Sequence, residues 1–170
     1  MNKSEIIKHW TELDTQEAGS YPGSQEKLSH GASLGAYFGF SRLAIHHEQL
    51  FPGHRTSWPH AESTEDEFVH VLEGTPDVWL DGELYPLQPG DSVGFKAGTG
   101  LAHTFINNSN KLVRLLVIGD VNREDNRIHY ARHPQRNFEL GALHWHDVPA
   151  REDGGHDGLP TMLRSTNGPF

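Results

Sequence analysis

The sequence predicts an all-β domain, a small barrel or sandwich flanked by an N-terminal and a C-terminal extension. Three observations carry that prediction. From Tyr37 onward the chain changes to a period of two, the repeat of a strand with one face buried. Asp81-Gly82 stands between two strand-like flanks, a two-residue hairpin signal. Pro52-Gly53 and Pro89-Gly90 punctuate the same region, so that about seven or eight short strands with regular turns result, the pattern of a sandwich or barrel.

Taken in order, residues 1–35 form an N-terminal arm. Ser4 is placed to N-cap a short turn carrying Ile6, Ile7 and Trp10. The stretch Gly19 to Gly31 is rich in Gly, Ser and Pro and reads as loop. The barrel is expected over 36–120. Its first clear strand puts Leu43, Ile45 and His47 on one face and Arg42, Ala44, His46 and Glu48 on the other, with the first set taken as the apolar, inward one. Glu67 to Leu72 aligns Glu67, Val69 and Val71, which turns His70 the opposite way. Asp77 to Leu87 makes the hairpin, Val93 and Phe95 a short strand, and Leu101, His103, Phe105 and Asn107 share a face. Lys111 to Ile118 is the last core strand. Residues 121–170 form a C-terminal extension, in which Asn126–Tyr130 and Leu143–His146 are candidate strands and the end from Arg151 reads as irregular. Both extensions are expected to pack on the barrel or to cross to a partner subunit, because exposed sheet edges need covering.

Composition limits the function. The 170 residues suit one domain with a core, and an apolar content of 35% concentrates burial in a small interior. With no cysteine, disulfides and thiolate metal sites are excluded. No run reaches the apolar length of a membrane span, and the N-terminus lacks a signal-peptide core, so a cytoplasmic protein is expected. A net charge of −9 without a basic stripe argues against nucleic acid as a partner.

The chemistry is concentrated between His60 and Asn107. His60 and Glu62 are two apart and leave the same face of an extended strand; Glu67 follows five residues on, and His103 arrives in a second strand-like run. Two imidazoles and two carboxylates from different strands, aimed at one interior, make a divalent-metal cage. The surrounding blocks, P-H-A-E-S-T-E-D-E-F-V-H-V-L-E-G and P-G-D-S-V-G-F-K-A-G-T-G-L-A-H-T-F-I-N, resemble the paired motifs of the cupin superfamily. His60 stands at the first ligand position, and Glu67 lies at the usual distance before Gly74. Gly100, His103 and Asn107 keep the spacing of the second motif. Glu62 takes the place of the usual second His, Lys96 that of a proline, and Gly98-Thr99 adds two residues.

The resemblance covers roughly residues 36–120. It implies a double-stranded β-helix, or jelly-roll, barrel of the small bacterial type, and a homodimer. It further implies one divalent metal ion, with Zn or Mn ahead of Fe or Ni, held by His60, Glu62, Glu67 and His103. Alternatively, Glu62 points away and leaves three ligands. Glu67 and Glu62 are the catalytic candidates, and Asn107 has a structural role. A site with two carboxylates carries less positive charge than one with three imidazoles, so Arg42, Arg55 or Lys96 would have to help hold an anionic substrate. His47 is a candidate substrate contact, His46 and His54 are expected near the barrel mouth, and Phe105 and Trp58 could line it or pack in the core. His144-x-His146 repeats the two-apart spacing without a carboxylate at motif distance. Cupins include isomerases, dioxygenases, decarboxylases and non-enzymatic binding modules. The expectation is a metal-dependent enzyme acting on a small oxygenated molecule by proton transfer beside a polarised carbonyl, in the manner of a sugar-phosphate isomerase. The alternatives are a non-catalytic ligand-binding module, or a dioxygenase if the metal is iron.

Overall fold

Two five-stranded antiparallel sheets face each other, as a computed structural model of residues 3–164 shows. Ten strands build them: β1 (His30–Ser33), β2 (Leu43–Leu50), β3 (His60–Glu62), β4 (Glu67–Glu73), β5 (Asp77–Leu80), β6 (Glu83–Pro86), β7 (Ser92–Phe95), β8 (His103–Ile106), β9 (Val113–Asp120) and β10 (Ile128–Tyr130). The first sheet runs β1-β2-β9-β4-β7 and the second β10-β3-β8-β5-β6. Edge strands β1 and β10 lie outside residues 36–120, so each extension adds one strand to the barrel.

The inner faces meet in a core of Leu50, Val69, Val71, Val78, Phe95, Phe105, Val113 and Leu115. β5 and β6 are joined by the Asp81-Gly82 turn with Leu80 opposite Glu83. Both turn residues have positive φ, 44° and 93°, as a type I′ hairpin requires.

The extensions explain why burial departs from simple alternation. All four residues of β8 are buried, because the C-terminal extension covers the outer face of the second sheet. Trp145 packs there with Ala61, Trp79, Ala102 and Ile106, and the Trp79 indole donates to the His156 carbonyl at 2.9 Å. The N-terminal arm does the same for the first sheet: Trp10 stacks on His47 at 3.9 Å, and Gln49 donates to Asp14 at 2.7 Å.

His47 therefore faces outward beneath the arm, and His46 and Glu48 face the interior, the reverse of the expected assignment. The deciding contact is the long-range one with Trp10, which a local apolar count cannot register. Three further expectations are corrected. Ser4 lies inside a 3-10 turn (Lys3–Ile6) instead of capping it; a second 3-10 turn, Trp10–Glu12, is capped by His9. The Gly19–Gly31 loop gives way to strand β1 at His30. Leu143–His146 forms no strand: Pro134–Leu140, with proline in its first turn, is a short helix followed by a 3-10 turn, and His144 makes only an isolated bridge to Ile128. Among the described residues no helix is long and apolar enough to cross a membrane.

Candidate metal centre

His60 and His103 sit directly opposite each other where β3 pairs with β8, and their rings lie 4.9 Å apart. Each ring has its orientation fixed from behind. His60 Nδ1 donates to the Trp58 carbonyl at 2.9 Å, with the Ser57 hydroxyl at 3.2 Å, and His103 Nδ1 donates to the Leu101 carbonyl at 3.2 Å. A carbonyl can only accept, so each ring carries a proton on Nδ1 and directs Nε2 into the interior. The His103 ring also stacks on Phe95 at 3.5 Å.

Glu67 opens β4 on the facing sheet, between Phe95 and Gly119. Its Oε1 is 3.3 Å from His103 Nε2, yet that nitrogen, closed to solvent, makes no aligned hydrogen bond. Burial works to raise the Glu67 carboxyl, but the His103, His60 and His46 rings outweigh it and hold the group below the usual carboxylate range. Burial pushes His60 down to about 4, aided by His103, so the ring is neutral at physiological pH.

His60, Glu67 and His103 line one cavity of about 90 Å³, together with Val69, Phe105, Val117 and Glu48. Glu48 is the residue that sequence reasoning missed. The strand itself carries no signal for it: Leu50 on the parity of Glu48 is buried, but so, under the arm, are His47 and Gln49 on the other parity. The Ser29 hydroxyl donates to Glu48 at 2.7 Å, and burial pushes the Glu48 carboxyl up to about 7.

Glu62 does not line this cavity. Burial, followed by repulsion from Glu65 and Glu67, pushes its carboxyl up to about 8, and it interacts with Asn126. Of the proposed helpers for an anion, Arg42 and Lys96 are exposed, and Arg55 is fully buried in a bidentate pair with Glu26 at 2.6 and 2.8 Å. His70 turns outward to Ser92, and His54 bonds the Leu28 carbonyl. Trp58 is stacked between Tyr21 and His133. Asn107, fully buried, donates to the Leu50 and Lys111 carbonyls, a bracing role consistent with expectation. His144 and His146 cluster with His129 on the outside of the barrel.

Among the described residues, no three His, Asp or Glu side chains surround a common point in ligand geometry. The donor chemistry nevertheless fits a divalent ion. Each imidazole is braced through Nδ1 as ligating histidines are, one Nε2 is buried without a hydrogen bond, and a carboxylate lies beside it.

The paired antiparallel sheets and the His-Glu-His cavity between them define the class: a jelly-roll barrel with polar groups gathered at its interior. Residues 46–119 match the cupin domain family. A sugar phosphate isomerase of the cupin superfamily from Silicibacter pomeroyi is 27% identical, with a TM-score of 0.67 over 74% of this chain and 82% of that one. The polyketide cyclase RemF from Streptomyces resistomycificus shares the fold at 20% identity, with a TM-score of 0.60 over 81% of this chain and 94% of that one. The polyketide synthase CurC of Streptomyces cyaneus is 34% identical over 94 residues, 55% of this chain. The aligned region spans 56% of that relative's length, little more than half.

Proposed function

We propose that the protein is a divalent-metal-dependent enzyme that moves a proton next to a carbonyl of a small oxygenated substrate, an isomerase-type reaction carried out inside the barrel. The observation that supports this reading most is the pair of braced imidazoles whose Nε2 atoms are left for a ligand, with Glu67 beside them. His60, Glu67 and His103 would hold the ion. The metal, when bound, supplies a Lewis acid for the carbonyl oxygen. Zn and Mn suit two imidazoles and one carboxylate, and so do Fe and Ni.

The chain's own residues supply the rest. Glu48, on the cavity wall and close to neutrality in its titration, takes the proton from the carbon beside the carbonyl and returns it to the neighbouring position. Glu62, protonated at neutral pH beside Glu65 and Glu67, is a second acid close to the site. Val69, Phe105 and Val117 keep the cavity poor in water, which strengthens each electrostatic contact within it. Because Glu62 stands outside the cavity, the remaining set is two histidines and one carboxylate, the donor set of non-haem iron oxygenases. That observation supports a dioxygenase as the second reading if the metal is iron.

The test is elemental analysis of protein purified without chelating resin, with His60→Ala and Glu67→Gln alongside, followed by a deuterium wash-in assay on aldose–ketose pairs. Near-stoichiometric metal in the parent, lost in both variants, together with solvent deuterium appearing beside the carbonyl, is the expected result. A parent that binds no metal after reconstitution refutes the reading.

A further inference from the structure

The cavity around His60 and His103, at about 90 Å³, is well below the ~300–1,000 Å³ of pockets that enclose a drug-sized ligand. A second cavity of about 360 Å³ lies beside it, under the N-terminal arm, between Leu13, Thr15 and Glu17 on one side and β1 and β2 on the other. Glu48 belongs to the walls of both, and its carboxyl is held there by Ser29, another residue of the outer wall. His46 lines the outer cavity. Ser33 faces His46 across the β1–β2 ladder. The outer cavity alone lies within the size range of a ligand pocket, and Glu48 is a wall common to it and the inner one.

The chemistry of the walls is one-sided. Among the described residues, neither lining contains a lysine or an arginine, whereas Glu17, Glu48 and Glu67 are all present. Hydroxyls and imidazoles make up most of the remaining polar surface: Thr15, Ser29, His30, Ser33 and His46. Phosphate recognition draws on cations, and carboxylates in their place would repel it. Side-chain hydroxyls and imidazoles instead suit the hydroxyls of a neutral ligand.

We propose that the substrate is an uncharged, hydroxyl-bearing carbonyl compound whose reacting end enters the inner cavity while the rest lies in the outer cavity beneath the arm. This rests on the isomerase-type reading for the inner cavity and extends it by excluding a phosphate ester. The walls select against the phosphate, and the arm residues set the specificity.

The test uses the full chain and saturation-transfer NMR with free C3–C6 aldoses, ketoses and polyols, and with their monophosphates. Metal content and melting temperature are measured on the same samples. At least one free compound is expected to bind tenfold or more tightly than its monophosphate. Ser33→Phe, which fills the outer cavity from an exposed strand position, is expected to weaken that compound at least tenfold with metal content and melting temperature unchanged. Thr15→Phe, from the arm side, should do the same. Equal or tighter binding of the monophosphate overturns the proposal, as does binding of neither class or full affinity in both filled variants. Loss of metal dependence with these binding differences intact counts against the isomerase-type reading alone.

Discussion

Replacing Glu26 by alanine tests how firmly the two extensions are tied to the barrel. The Glu26 carboxylate takes two hydrogen bonds from Arg55 and a third, at 2.8 Å, from the Trp58 indole; Arg55 also donates to the Gly158 carbonyl at 2.8 Å. The ion pair is closed to solvent on both sides, with side-chain exposures of 0% and 1%. One buried cluster therefore joins the N-terminal arm, the β2–β3 loop and the C-terminal extension. Removing one member of a buried pair costs about 3–5 kcal/mol, and the lost indole bond adds about 1 kcal/mol. For a domain of this size, at ~2–4 °C per kcal/mol, the melting temperature should fall by roughly 8–24 °C. Calorimetry and urea unfolding of the parent and Glu26→Ala read this directly. The double variant Glu26→Met with Arg55→Met should regain most of the loss, because no buried charge is left behind. The effect should also reach the candidate metal centre. The Trp58 carbonyl braces His60, so freeing the indole should weaken metal binding ~10–100-fold. A loss within the ~0–1 kcal/mol of a solvent-exposed pair would refute the argument that this pair is desolvated.

Three further outcomes follow from the same geometry. Glu62→Gln should retain its metal while Glu67→Gln loses it, because only Glu67 lines the inner cavity; elemental analysis of both separates a three-ligand from a four-ligand centre. Gly31→Ala should destabilise the protein at or above the ~1–3 kcal/mol typical of overpacking, since a Cβ there would fall 1.9 Å from the His47 carbonyl oxygen; urea midpoints measure it. Light scattering should report a homodimer, since β1, β10, β7 and β6 end their sheets, and a monomer at all concentrations would remove the expectation of sheet-edge association.

The parts of this protein that were legible in its sequence are those set by local rules. The Asp81-Gly82 hairpin follows from two positive φ angles, and the inward set Glu67, Val69 and Val71 from strand alternation. His60 and His103 stand opposite each other across β3 and β8, as the resemblance of the two blocks to paired barrel motifs implied. Sequence and structure diverge where distant segments decide a residue's surroundings. His47 and Glu48 lie on opposite faces of one strand, and nothing in Leu43–Leu50 alone states which face is inside; Trp10 and Ser29, from the arm, settle it. Arg55 read as a cation free to meet a substrate, but Glu26, 29 residues away, holds it in the core. Glu62 shares a strand with His60, yet β3 is only three residues long and pairs with β8 through His60 alone. Alternation carries less authority at its last residue, where Asn126 and Glu65 become the neighbours. The extensions that confused the sequence reading are thus the segments that complete the candidate site: they bury the outer faces of both sheets, brace Glu48 and Trp58, and roof the space in which the proposed neutral substrate would lie.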